Sequence, residues 1–294
     1  MKATQQIVSF VENLQRTAFY FAVMLFKENF RNYISRAGAG VEPKSSVLIL
    51  GNGPSLKEDL PQIIARREHL SKDLMAVNFF AEDERFEELR PAYYVLSDPM
   101  FFRDSRQRER VAKLYRLLSE RVSWRMTLYV QFYNPEHFDY QWAVSNPNIR
   151  IVPFHTQMYR GFRSLEFWLY RHGLGSANFG TVVQNCAYIA LLLGYKQLEL
   201  YGVDHTLLEG LCVDRENRLC RAITHYYDTS EAVAKPIFKN VPYEPYTMAE
   251  YLAELAELFR GHEVLRDYAD SLGARIINRT KGSMIDAYER EPLE

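Results

Sequence analysis

Cysteine is scarce in this sequence: three residues in 294, Cys186, Cys212 and Cys220. None forms a Cys-x-x-Cys pair or a zinc-like spacing, which argues against a disulfide framework and a structural zinc site. No Ala-x-Ala cleavage pattern occurs in the first 36 residues. With the odd cysteine count, this leads to the expectation of reduced thiols in the cytoplasm. An excess of one charge sign is also missing. Thirty-six basic residues face 37 acidic ones, a net charge of -1, so no bulk attraction to nucleic acid is expected. The longest apolar run, Thr17 to Phe26, covers about half of the roughly 20 residues that span a bilayer, and no transmembrane segment is expected. There is no internal repeat, no low-complexity tract, no Gly-x-Gly-x-x-Gly fingerprint and no P-loop. His155, His172, His205 and His262 lack i, i+4 partners, and His137 is isolated. Surface or core roles are expected for them, and no metal site.

What is present is ordinary globular material, 47% hydrophobic and 25% charged. The 20 Tyr and 18 Phe supply core, and they suit a pocket for sugars or bases. Residues 1–44 read as an N-terminal amphipathic helix and linker. Ile7, Val11, Leu14, Ala18, Phe21 and Leu25 recur at spacings of four and three, one helical stripe. Phe10, Phe19, Phe26, Phe30 and Tyr33 widen it. Up to Lys44 there are six basic and three acidic residues, a balance of +3. The stripe fits docking on its own domain, pairing with a second subunit in a homo-oligomer, or lying peripherally in the plane of a membrane surface.

Residues 45–294 read as the catalytic domain. Short apolar runs at 47–50, 74–77, 93–96, 127–131, 149–152, 198–201 and 274–277 alternate with helical stretches near 57–68, 82–89, 104–121, 162–172, 180–193 and 247–272. That alternation predicts an α/β fold, a mostly parallel Rossmann-like sheet flanked by helices. Ligands of such sheets bind at the carboxyl ends of the strands, where the polar motifs of this chain fall. The first run leads into Gly51-Asn52-Gly53-Pro54-Ser55. Its glycines permit a sharp turn, Ser55 is placed to cap the next helix, and the helix start can receive a phosphate. Asn78 and Asp98 end the second and third runs; Asn78 can read a base edge or ribose, and Asp98 can accept from ribose hydroxyls or hold Mg²⁺. Gly180 and Thr181 open a helix, and Asp204 and His205 end the next strand. The stretch from Thr206 to Thr224 is expected to be an irregular lid, followed by His225 as a candidate general base and by Tyr226. Arg279 lies at the same edge as a candidate ligand contact, and Ser283 is expected to cap a helix over Met284–Glu289.

In order and spacing, Gly51 to Leu56, Asn78, Asp98-Pro99, the block from Gly194 to Asp204, and Thr224-His225-Tyr226 resemble the bacterial sialyltransferases that use CMP-N-acetylneuraminate. The resemblance runs from about residue 46 to 228. It implies a glycosyltransferase A variant fold, a CMP-sugar donor and inversion without an obligatory metal. It also implies that Gly51, Asn52, Gly53 and Ser55 touch phosphate and ribose, that Asn78 and Asp98 face the cytidine, and that His225 deprotonates the acceptor, a glycan or lipid-linked sugar. The family has Asn where Asp98 stands, Thr-Ser-Gly at Gly180–Val182, and a lid tyrosine where Thr206 falls. Tyr226, Tyr227, Arg218 or Arg221 are its candidate substitutes, and a related acidic sugar such as Kdo is compatible. Gly51 to Ser55, Ser97-Asp98-Pro99 and Gly202 to His205 also resemble the domain named after archaeal 6-hydroxymethylpterin diphosphokinase. That resemblance implies a Mg²⁺-nucleotide at Asp98 and a pyrophosphokinase. A non-catalytic subunit of glycan assembly is the third alternative.

Overall fold

A computed structural model of the chain describes residues 2–34, 44–102, 108–132, 143–177, 180–222, 233–239 and 244–292. Eight parallel strands form the central sheet in the order β11-β10-β6-β1-β2-β3-β4-β5. The inner strands are β1 (Ser46–Leu50), β2 (Asp73–Val77), β3 (Tyr93–Leu96), β4 (Met126–Gln131), β6 (Gln197–Tyr201) and β10 (Arg275–Asn278), and the edges are β5 (Ile149–Phe154) and β11 (Glu289–Arg290). The runs of β1 to β4 are nearly continuous because these strands are covered on both faces. Val47 and Ile49 of β1 belong to one core, and Leu48 and Leu50 to the other. This is the period-two alternation of a strand. The sheet is Rossmann-like, as the alternation of runs predicts.

Helices α2 (Leu56–Ala65), α3 (Glu68–Ser71), α4 (Phe86–Leu89) and α5 (Arg108–Arg121) follow the first three strands. Four more helices are described: α1 (Lys2–Phe26), α6 (Arg163–Arg171), α7 (Val182–Leu192) and α8 (Met248–Ser271). Residues of α7 and α8 pack into the core that holds Val47 and Val95. α7 is buried almost throughout, so its sequence shows no polar face. Acidic side chains also sit inside the sheet, Asp73 of β2 and Glu199 of β6. Glu199 of β6 is fully buried between Lys72 and Arg279, 2.8 and 3.1 Å away. Burial pushes its carboxyl up, but those two cations hold it below the ordinary range overall.

Four local expectations change. Residues 206–222 are not irregular: β7 (Leu211–Val213) and β8 (Leu219–Arg221) form an antiparallel hairpin, joined by β9 (Lys235–Pro236). Its turn is set by the Asp214 carboxylate, which accepts from the amides of Glu216 and Arg218. Ser283 caps no helix; its hydroxyl donates to Val203 O at 2.7 Å, and the chain runs on to a short eighth strand, β11 (Glu289–Arg290). Arg279 turns from the ligand edge to Glu199 and to the Glu291 carbonyl. The stripe on α1 also faces differently from a docked helix. The docked side carries Thr17, Tyr20 and Met24, with Tyr20 and Met24 buried against Tyr159, Leu169 and Leu174. Among the described residues no helix is long and apolar enough to cross a membrane.

Candidate functional site

β1 and β6 are neighbours, yet β2 lies on the far side of β1 and β10 on the far side of β6. The chain therefore reverses its direction of winding between β1 and β6. Loops leaving such a switch point diverge and open a crevice at the carboxyl edge. A cavity of about 500 Å³ occupies this place.

Two loops form its floor. After β1, Gly53 N donates to Gly202 O at 2.7 Å. A Cβ at Gly53 would fall inside the Asp204 carboxylate, and one at Gly51 would strike the Gly202 carbonyl. Close approach between two parts of the protein thus explains both glycines. Ser55 does not cap α2 with its side chain. Its hydroxyl donates to Asp204 Oδ2 at 2.9 Å and its amide to Asp204 Oδ1 at 3.3 Å. A carboxylate of the chain therefore already sits at the start of α2. Burial raises the Asp204 carboxyl above its ordinary range, against the lowering effect of Ser55. Beneath it Asp59, buried in α2, is pushed up to about 6 by burial, although it accepts from the Gly202 amide.

Asn52, Gly53, Asn78, Asp98, Gly180, Thr181 and Asp204 all line the cavity, so seven sequence-derived candidates converge on it. Gly51 and Ser55 lie behind the wall and support it. His225, Tyr226 and Tyr227 fall outside the described residues. Asn78, in the left-handed region at φ 51°, anchors through its carbonyl, which accepts from Tyr94 at 2.7 Å. Its Oδ1 is buried without a partner. Asp98 spends one oxygen on the Met100 amide, 2.9 Å away, capping the turn at Pro99–Phe101. Thr181 stands at the start of α7, where the Gln184 side chain accepts from its amide at 3.2 Å. Gln184 also reaches the Leu258 carbonyl of α8, which fixes that helix end. Thr181 Oγ1 is buried, faces the Gln184 amide in a capping box without a hydrogen bond of normal geometry, and has no other partner among the described residues.

Gln131, Ser176 and Asn185 line the cavity and escaped the sequence reading. Gln131, at the end of β4, donates to Thr156 at 2.6 Å, and Ser176 and Asn185 complete that wall. The polar residue ending the β4 run was the available signal for Gln131. His205 also lines the cavity, in a left-handed conformation at φ 50°. Its Nε2 lies 3.2 Å from His262 Nε2, and His262 Nδ1 lies 2.8 Å from the Tyr288 hydroxyl. Burial lowers His205 to about 4 and drives His262 well down, so both rings are neutral near pH 7. No spacing along the chain could reveal a pair 57 residues apart. Arg221 reaches in from the hairpin with Nη1 held by Leu207 O and Tyr251 Oη, at 3.1 and 2.7 Å. Among the described residues no group of three His, Cys, Asp or Glu side chains converges on a metal position.

Fold and site together define a doubly wound α/β protein with a polar cavity at its topological switch point. No family model and no curated protein matches the chain. Among solved structures it is similar to the Maf glycosyltransferase from Magnetospirillum magneticum AMB-1, with a TM-score of 0.44 and 16% sequence identity. That likeness covers 86% of this chain and 34% of the other, so the chain spans about a third of that protein's length.

Proposed function

We propose that the chain is an inverting glycosyltransferase. In this reading it transfers an acidic sugar of the sialic acid or Kdo type from a CMP-activated donor to a bacterial surface glycan or lipid-linked acceptor. The observation that carries the reading is the buried Asn78 Oδ1 on the cavity wall, without a partner among the described residues, together with Thr181 Oγ1, which has none there beyond its own capping box. Leaving such an atom unsatisfied costs about 1–3 kcal/mol, and a polar ligand that bonds to it removes that cost. The volume falls within the range of small-molecule sites.

Each wall has a role in this account. Asn78 reads the cytidine or its ribose, and the free oxygen of Asp98 accepts from ribose hydroxyls. Asp204 already holds the start of α2, so the donor phosphate belongs at the start of α7, beside Gly180 and Thr181. Asn52 and Gly53 then form the adjoining wall, positioned by Gly51 and Ser55. Arg221 supplies a cation for the phosphate or the sugar carboxylate, in place of the lid tyrosine missing at Thr206. No metal is obligatory. His225, next to Tyr226, takes the acceptor hydroxyl proton as the new C–O bond forms and the bond to the CMP oxygen breaks. Transfer from a CMP-sugar without Mg²⁺ tests the reading, and His225→Ala should slow it by about 10²–10⁴-fold. Near-wild-type turnover of that variant removes His225 from the mechanism.

A second reading is favoured by one observation, the two carboxylates Asp98 and Asp204 on one cavity. A Mg²⁺-dependent pyrophosphokinase would use ATP with metal and lose activity in Asp98→Ala. A non-catalytic glycan-assembly subunit would do neither.

A further inference from the structure

α1 turns its apolar stripe outward. Ile7, Val11, Leu14 and Leu25 are 45–66% exposed, and Phe19 and Phe26, at 69% and 81%, extend the stripe. These positions recur on one side at 3.6 residues per turn, about a third of a turn away from the docked side of Tyr20 and Met24. A face this wide is a docking surface, and its charge identifies what it meets. Arg16, Lys27 and Arg31 are exposed around it. Of the acidic residues on this segment, Glu12 is paired with Arg16 and Glu28 is turned inward to His155. Residues 2–34 hold four basic residues against these two acidic ones, a balance of +2 in a chain of net charge -1. Two copies pairing through α1 would bring like charge against like charge. An anionic lipid surface offers the complement, with Phe and Leu as inserting residues.

We propose that α1 lies in the plane of an anionic bilayer with the Phe19 and Phe26 side immersed. The helix is joined to the cavity by a short path: Thr17 Oγ1 lies 2.9 Å from the Tyr159 hydroxyl, Phe10 packs on Phe162, and Met158 lines the cavity. Docking therefore holds the cavity near the bilayer. Its use for lipid-linked acceptors rests on the function proposed above.

The test is co-sedimentation of the full chain with vesicles of phosphatidylcholine alone and with about one-third phosphatidylglycerol. Binding to the anionic vesicles is expected, and it should weaken as salt rises. Phe19→Ser with Phe26→Ser should reduce it about tenfold or more without changing thermal unfolding, because both side chains are exposed. Absence of binding to either vesicle overturns the proposal, as does undiminished binding by the double variant. A dimer lost in that variant, without vesicle binding, assigns the face to a second copy and overturns it too. Vesicle binding by a chain that transfers no sugar leaves the docking standing and removes only the enzymatic reading.

Discussion

The Ser55 hydroxyl donates to Asp204 Oδ2 across 2.9 Å, joining the loop after β1 to the loop after β6. Between these loops the sheet reverses its winding, so the bond crosses the floor of the crevice that a ligand would enter. It also changes the part played by the Gly51–Ser55 turn. The start of α2 is satisfied from within the protein, and the turn shapes the cavity through its edges at Asn52 and Gly53.

Substitutions at this floor should separate packing from ligand contact. Gly53→Ala places a methyl group against the Asp204 carboxylate and the Gly202 carbonyl, both held in place. Overpacking of this kind costs about 1–3 kcal/mol, and chemical denaturation should report it. Ser55→Ala removes a partner of a buried carboxylate and should cost a similar ~1–3 kcal/mol. Full stability in both variants would show that the two loops are not coupled as described.

Acid should weaken the fold through His205. Burial lowers its pKa in the folded chain from the ordinary 6.5 to about 4. The unfolded chain therefore takes up a proton first as pH falls. The stabilising contribution is complete above pH 6.5 and is lost between 6.5 and 4, an effect on the order of 3 kcal/mol. Imidazole NMR should show His205 neutral at pH 5.5, and His205→Asn should flatten the pH dependence of unfolding. A His205 midpoint near 6.5 would contradict the buried pair.

Much of the scaffold was legible because its strands are buried on both faces, which leaves unbroken runs such as Val47–Leu50 and Tyr93–Leu96. Polar residues ending those runs marked Asn78, Asp98 and Asp204. What was hidden depends on distance or direction. The stripe on α1 was visible, but helical periodicity does not say which side of a helix docks, and Tyr20 and Met24 lie on another. The hairpin of β7 and β8 was hidden because its strands have three residues each and a charged turn. The short strand β11 pairs with β10 through two residues, Glu289 and Arg290. The preference of Ser55 for Asp204 over its own helix start is a tertiary bond, as is the meeting of His205 and His262.

The most direct measurement is the binding of CMP without metal to the full chain, followed by thermal shift and calorimetry, alongside Asn78→Ala and Thr181→Val. The account predicts that CMP stabilises the protein and that each substitution weakens binding by about tenfold, the loss of one hydrogen bond from a buried partner. Stabilisation by ATP only with Mg²⁺, or by no nucleotide at all, would contradict it.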